Sequence, residues 1–386
     1  MLVAIPKETF PNERRVAVVP SAVASLKKAG LEVVIESGAG DGSLHPDADY
    51  TASGARVEAD RRQILSEAEI VLLVRGPGAD PNFPAADLDA LRPGTVLIAF
   101  LEPLADPAAS KGLAERNLTA LSMELMPRIT RAQSMDALSS MATTAGYKAV
   151  LMAATALAKM TPMMMTAAGT LKPSRIFILG AGVAGLQAIA TARRLGAVVE
   201  AYDIRPAVKE QVESLGARFV ELDLETESAE GAGGYAKAQS EEFYRRQREQ
   251  LAERMRGSDI VITTALVPGK RAPILLTREM VERLSPGAIV VDLAAEKGGN
   301  CELTRPNENV SHNGVTIMGP ANLPSETPYH SSQMYSKNIT TFLLHLVKDG
   351  RLNLNLDDEI VKGTLVTQGG ELVHPAVIAA LEKDQH

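Results

Sequence analysis

Arg175-Ile176-Phe177-Ile178-Leu179-Gly180-Ala181-Gly182-Val183-Ala184-Gly185-Leu186-Gln187 reads as a short apolar strand that runs straight into a glycine turn and then into a helix. The first glycine permits a tight turn, the second lets a ligand approach the main chain, and the third allows the helix to pack closely on the strand. A helical run from Val183 to Leu195 presents its first N–H groups, which have no partner inside the helix, to an anion such as a pyrophosphate. A glycine pattern alone is weak in a chain with 30 glycines, but the flanking strand and helix make it specific. Gly180, Gly182, Val183, Ala184 and Gly185 are therefore candidate contacts to a dinucleotide. The next strand, Val198 to Tyr202, delivers Asp203 eighteen residues beyond Gly185, where a carboxylate accepts from adenosine ribose hydroxyls and repels a 2′-phosphate. Asp203, Ile204 and Arg205 join the candidate set with NAD(H) as the expected ligand. Arg205 keeps the NADP(H) alternative open, because an arginine here accommodates that phosphate, and Asp203 before Pro206 is equally a helix-capping residue.

Working outward, the strand series continues through Arg218 to Leu222, Asp259 to Thr263, Ala288 to Asp292 and Val315 to Met318, six strands in all, as a full dinucleotide domain requires. The first third of the chain carries its own alternation. Leu2 to Ile5, a helix at Ser21 to Ala29, Glu32 to Glu36, Ile70 to Val74, Thr95 to Phe100 and Leu118 to Met123 are the marks of βαβ units. Between the two series lies an Ala- and Met-rich helical run, Arg131 to Lys159. A further helix at Ser332 to Lys348 lies beyond the second series, while the first sheet still needs cover on one face. The expected fold is α/β: two Rossmann-like parallel-sheet domains joined by a long helix, the first discontinuous. Its parts are 1–135 with 330–386, a bridge at 136–165, and 166–329.

The 386 residues suit two cores. With 45% hydrophobic and 23% charged residues the composition is that of a folded globular chain. A net charge of -7 argues against nucleic acid as a partner. Cys301, the single cysteine, allows neither an internal disulfide nor a cysteine zinc site, and fits a reducing compartment as an inert small residue. His45, His312, His330, His345, His374 and His386 are scattered without metal-ligand spacing, so no metal is expected. The run Met160, Met163, Met164 and Met165 reads as core filler. The most apolar stretch, Ala149 to Met165, is interrupted by Lys159, Thr161 and Pro162 before reaching the ~20 residues a membrane span needs.

Two further segments are candidates for function. Arg128 and Arg131 precede Gln133, Asp136 and Ser139, which recur three apart and are expected on one helical face at the mouth of an interdomain cleft. That placement suits a nicotinamide. A capped helix start, with Ser134 or Thr130 as the N-cap and Asp136 favouring the helix dipole, accounts for part of the same pattern. The stretch Asp223 to Gln250 places Gly231, Gly233, Gly234 and Tyr235 before a charged helix starting near Ser240. So long an irregular segment is either a functional lid or a disordered linker, and the aromatic beside glycine hinges favours the lid.

Several stretches together resemble one family: Pro6-Lys7-Glu8 with Glu13-Arg14-Arg15-Val16-Ala17, Arg131 to Tyr147, Leu179 to Gly185, Gly233 to Lys237, and Thr263 to Gly269. From end to end the chain resembles the NAD(H)-binding domain I, in the alpha subunit, of proton-translocating NAD(P) transhydrogenases, within the superfamily that includes alanine dehydrogenases. The resemblance implies that Arg128, Gln133, Asp136 and Ser139 hold the nicotinamide and that Gln133 and Asp136 position it for hydride transfer. It also implies that Gly234 and Tyr235 belong to a mobile loop, and that Ala265 and Leu266 touch the nucleotide. The implied partners are a second copy of the chain, an NADP(H)-binding domain on a beta subunit and a membrane-spanning subunit. The implied location is the cytoplasmic side, peripheral to the inner membrane. Because the sequence ends at His386 without a membrane helix, the split-subunit form is expected. Alanine dehydrogenases use a lysine and a histidine of the first domain on the keto acid, and the corresponding positions here are Arg75 and Glu102. Without that histidine, oxidative deamination lacks its proton-transfer group. An amino-acid dehydrogenase and a nucleotide-sensing module without turnover remain the alternatives.

Overall fold

The computed structural model describes residues 1–223, 240–266, 271–348 and 350–384. The chain divides into two compact units, Met1–Met141 with Ser325–His386, and Ala142–Pro324. In the first, eight strands form one sheet in the order Glu371–Leu372, Leu365–Gln368, Thr119–Ser122, Val96–Phe100, Ile70–Arg75, Leu2–Ile5, Glu32–Glu36 and Arg56–Glu58. The six strands of the N-terminal segment pair in parallel, and Leu365–Gln368 adds antiparallel to Thr119–Ser122. Strand alternation sends Val3 and Ile5 to one face and Ala4 to the other. The first face is covered by the helix Pro328–Leu346, whose Tyr335, Ile339, Phe342 and Leu343 are fully buried. The C-terminal segment thus supplies this cover and two strands besides.

The second unit has a seven-stranded sheet ordered Arg218–Phe219, Val198–Tyr202, Arg175–Leu179, Ile260–Thr263, Ile289–Asp292, Val315–Met318 and Asn309–His312. Its first six members give the doubly wound order, with the switch point between Arg175–Leu179 and Ile260–Thr263. Ile176 and Ile178 pack under the helix Val183–Arg194 through Ala188, Ile189 and Ala192. Phe177 and Leu179 face the other way, against Leu251 and Met255 of the helix Glu241–Met255, which Ser240 caps by accepting from the Phe243 N–H. The seventh strand, Asn309–His312, is antiparallel and not among the strands expected from the sequence, although the Asn313-Gly314 turn, with both φ positive, is the usual signature of such a hairpin.

Three expectations change. The long helix is Ala137–Ala156 instead of Arg131 to Lys159, because Thr130–Met135 forms a tighter 3-10 turn and the chain breaks at Asp136 with ψ 88°. Its end is drawn away by Ser174, whose hydroxyl donates to the Met160 carbonyl and whose N–H donates to that of Thr161. The stretch that was to extend the bridge to residue 165 carries instead a hairpin of Met164–Thr166 with Gly169–Leu171. The methionines are not core filler. Met160, Met163, Met164 and Met165 are exposed, Met165 at 79%, because this two-stranded hairpin has no sheet of its own to fold onto.

Candidate dinucleotide site

The seat is built at the carboxyl end of Arg175–Leu179, beside the switch point of the second sheet. Gly180 takes φ +99°, and a Cβ there would come within 2.5 Å of the Thr264 hydroxyl oxygen. A Cβ on Gly185 would overlap the Gly180 carbonyl, so the third glycine is what lets the helix Val183–Arg194 start against the turn. Gly182 differs: a side chain there would meet only one guanidinium nitrogen of Arg205, 3.9 Å away. The turn therefore keeps an open surface over its middle glycine, flanked by a cation and by the first amides of a helix, and that surface fits a pyrophosphate. Val183 is exposed and Ala184 half-buried at the helix start.

Asp203 braces this turn. Its carboxylate accepts from the Ala181 N–H at 2.8 Å and the Arg205 N–H at 2.9 Å, and forms a two-pronged ion pair with the Arg205 guanidinium at 2.9 and 2.7 Å. Ile204 packs its side chain against the core below. Behind it, the Tyr202 hydroxyl accepts from Gln247 and is pushed up to about 12, chiefly by burial. The 3-10 turn Pro206–Val208 has Arg205, not Asp203, at its N-cap, so Asp203 braces the approach to that turn without capping it.

Across the switch point, Thr264 donates from its hydroxyl to the Gly180 carbonyl at 3.0 Å. Ala265 is clasped by Asn300, which accepts its N–H and donates to its carbonyl, both at 2.9 Å, and donates also to Pro273. Asn300 and Cys301 in turn give their N–H groups to the fully buried Asp292, which also accepts from the hydroxyls of Thr263 and Thr304. Leu266 is 41% exposed. Cys301 is buried, and burial pushes its thiol up to about 11, so it is not a nucleophile at neutral pH. Thr264, Asn300 and Asp292 were missed as contributors, as was Gly146, whose missing side chain gives the Ala184 carbonyl room against the helix Ala137–Ala156. A glycine inside an Ala-rich helix is a sequence signal for such close approach.

The segment 128–139 belongs mostly to the first unit's loop before the helix. Arg128 and Gln133 are exposed, whereas Asp136 and Ser139 are half-buried. The expected single helical face is not formed, because Gln133 sits in the 3-10 turn and the α-helix begins only after Asp136. Neither Ser134 nor Thr130 is the N-cap of that helix. Asp136 takes the position, accepting from the Ser139 N–H at 2.9 Å and its hydroxyl at 2.6 Å. Arg131 pairs with Asp358 at 2.7 Å, and the Ser134 carbonyl accepts from Asn338. Gly234 and Tyr235 lie outside the described residues.

A second set of charges gathers at the strand ends of the first unit. Glu8 accepts from the N–H groups of Val74 and Arg75, and Glu124 from those of Leu101 and Glu102. Arg15 grips Glu13 at 2.7 and 2.6 Å, and Arg75 lies 3.5 Å from Glu13 and over the Phe10 ring. Burial first, and then the charge of Glu13, push the Glu8 carboxyl up to about 8. Burial, with Glu102 adding to it, raises Glu124 to about 7. Among the described residues no group of three or more His, Cys, Asp or Glu side chains is arranged to hold a metal.

A glycine turn on the switch point of a doubly wound sheet defines a dinucleotide-binding fold, and the comparisons with known proteins say which. Residues 4–145 match the family model described as alanine dehydrogenase/PNT, N-terminal domain, and residues 149–375 match the corresponding C-terminal domain. The chain is 48% identical over 385 residues to a Rhodospirillum rubrum protein named as the first part of NAD(P) transhydrogenase subunit alpha, covering 98% of this chain and 99% of that one. It is 42% identical to the protein of the same name from Rickettsia prowazekii, over 95% of each. Identity to the alanine dehydrogenase of Halomonas elongata is 30%, over 98% and 96%. Among solved structures, a transhydrogenase from Sinorhizobium meliloti superposes with a TM-score of 0.86 at 46% identity, over 97% of this chain and 100% of that one. An L-alanine dehydrogenase gives 0.81 at 26% identity, over 99% of each. The chain belongs to the alanine dehydrogenase/PNT family of oxidoreductases. Its place there is with the NAD(P) transhydrogenase alpha subunits, alanine dehydrogenases being the more distant relatives.

Proposed function

We propose that this chain is the NAD(H)-binding component of a proton-translocating NAD(P) transhydrogenase, with NADP(H) held on the NADP(H)-binding domain of a separate beta subunit. The observation that carries this reading is the 48% identity, over nearly the full length of both chains, to a protein named as the first part of NAD(P) transhydrogenase subunit alpha. Asp203 at the end of Val198–Tyr202 supports NAD(H) over NADP(H). When bound, the nicotinamide supplies the hydride. The chain's own contribution is placement, since near-attack geometry and exclusion of water provide most of what a protein adds to such a transfer.

In this reading Gly180, Gly182, Val183, Ala184 and Gly185 seat the pyrophosphate, Asp203 with Ile204 and Arg205 forms the adenosine-ribose end, and Ala265, fixed by Asn300, and the exposed Leu266 touch the nucleotide across the switch point. Asp136 and Ser139, acting as one bonded pair, are assigned to the nicotinamide end, Gln133 to the interface between the two nucleotides, and Arg128 to the phosphates or the carboxamide. No side chain is assigned as general acid or base. Proton movement belongs to a membrane-spanning partner, and no helix among the described residues is long and apolar enough to cross a membrane. The same reading makes the chain a homodimer, peripheral at the cytoplasmic face of the inner membrane. The test is to mix the chain with the NADP-binding component and follow reduction of an NAD analogue by NADPH. Reduction is expected only with both present, and its absence with folded chain that binds NADH would overturn the proposal. The chain alone is expected not to reduce NAD+ with alanine.

A further inference from the structure

The Asp203 carboxylate uses every acceptor position it has. A carboxylate offers about four lone-pair sites. Oδ1 accepts from the N–H and the Nε of Arg205, and Oδ2 accepts from the N–H of Ala181 and the Nη2 of Arg205. Two of these donors are main-chain groups that shape the turn. The other two, one on each oxygen, belong to one guanidinium. A ribose diol also brings two donors on adjacent atoms, one for each oxygen, and so competes for the same two positions.

We propose that Arg205 is the specificity-determining residue of the site: its guanidinium stands on Asp203 where a ribose diol binds, and NAD(H) binding exchanges one for the other. This rests on the NAD(H) reading above. The exchange has somewhere to go. The guanidinium already lies 3.9 Å from the point where a Gly182 side chain would project, beside the surface that fits a pyrophosphate. A small movement carries it from carboxylate to phosphate, so that Arg205 keeps an anionic partner while Asp203 exchanges the guanidinium for two hydroxyl donors. Both side chains are largely buried, at 6% and 13% exposure, so the exchange is weakly screened by solvent.

The arrangement also explains how an arginine two residues from the ribose acceptor is compatible with rejection of NADP(H). A 2′-phosphate replaces a hydroxyl donor by oxygens that only accept. With only the 3′-hydroxyl left as a donor it can fill one of the two positions that Arg205 vacates on Asp203, and it sets like charges face to face. The two-pronged pair with Asp203 holds Arg205 away from that phosphate. With the Asp203 charge removed, the same guanidinium becomes a receptor for it.

The experiment titrates the full chain with NADH and NADPH, following nucleotide fluorescence. Asp203→Asn keeps an acceptor for the Ala181 N–H, and is expected to bind NADPH at least about tenfold more tightly than the native chain. The gain is expected to vanish in Asp203→Asn with Arg205→Gln. Arg205→Lys cannot make the two-pronged pair but keeps a charge for phosphate, so it is expected to bind NADH at least as tightly as the native chain. The proposal is overturned if folded Asp203→Asn shows no NADPH gain, if the gain survives in the double variant, or if Arg205→Lys weakens NADH binding by more than about threefold. Should Asp203→Asn not fold, the Arg205→Lys titration decides alone. Failure of the native chain to bind NADH would remove the NAD(H) reading itself, whereas native binding with the wrong response in the variants removes only the exchange.

Discussion

The parallel strands of both sheets end in main-chain N–H groups, and the two units fill that position in opposite ways. In the second unit the strand Arg175–Leu179 turns at glycines that keep side chains out of the way, leaving an open surface at the start of a helix. In the first, the strand-end N–H groups of Val74, Arg75, Leu101 and Glu102 are taken by the carboxylates of Glu8 and Glu124. Arg15 and Arg75 then gather around Glu13. The same topological place is left open where the chain withholds its side chains, and is filled where it supplies its own carboxyl groups. Fold alone does not make a strand-end site.

The largest effect expected on this contrast comes from Arg15→Ala. Arg15 is 3% exposed and the side chain of its partner Glu13 is fully buried, so removing the guanidinium leaves Glu13 without its two short bonds and with the Arg75 side chain 3.5 Å away. Breaking a buried pair from one side typically costs about 3–5 kcal/mol. Chemical denaturation is expected to show a loss of that size in the first unit, with the NADH dissociation constant unchanged below the transition. A loss within the range of a surface pair would mean the cluster is not sealed.

Glu8→Gln tests the protonation of the same cluster. The Glu8 carboxyl is raised from 4.5 to about 8 by burial, with Glu13 adding to it. Between those values the folded chain holds a proton that the unfolded chain has released, so stability is full below 4.5 and is lost as pH rises toward 8. Glutamine is neutral throughout. The variant is expected to flatten the fall in melting temperature between pH 5 and 8, gaining on the native chain by up to a few kcal/mol (order of magnitude) at the upper end. Identical slopes would place the Glu8 charge elsewhere in its titration. Glu124, raised to about 7, leaves a residual slope.

Gly185→Ala attacks the open side of the comparison. The added Cβ overlaps the Gly180 carbonyl, which is main chain and cannot swing aside, so the helix must shift off the strand. Overpacking of this kind costs about 1–3 kcal/mol, and NADH affinity is expected to fall about ten- to a hundredfold as the seat deforms. Affinity close to the native value would show that the turn is not what seats the nucleotide.

These two regions were unequally legible in the sequence. The glycine seat and Asp203 could be read because each glycine answers a local demand of one turn, and local demands leave local patterns. The clasp of Asn300 on Ala265 spans 35 residues, and nothing near either position announces it. The Glu8 and Glu124 contacts likewise join loops to strands far along the chain, so Glu8, Glu13, Arg15, Arg75 and Glu102 entered only through a resemblance, and none of their contacts could be read. Most strands were legible to within a residue or two from their β-branched runs. The 128–139 segment misled in a different way: a three-residue recurrence suits a helix, but it also suits a cap followed by a helix, and propensity does not separate them.

That segment provides the smallest effect and the finest discrimination. Asp136 accepts from the Ser139 N–H and hydroxyl, and so caps the helix Ala137–Ala156 whatever else it does. Asp136→Ala is expected to cost about 1 kcal/mol of stability by loss of the cap. Asp136→Asn keeps an acceptor for the Ser139 N–H and is expected to recover most of that loss, because asparagine caps about as well as aspartate. Binding then separates the two roles. If NADH affinity returns with asparagine, the carboxylate works only by fixing Ser139 and the start of the helix. If affinity stays depressed while the melting temperature is restored, the negative charge itself meets the nucleotide, and the first unit contributes to recognition through a half-buried carboxylate while its own strand ends remain filled by Glu8 and Glu124.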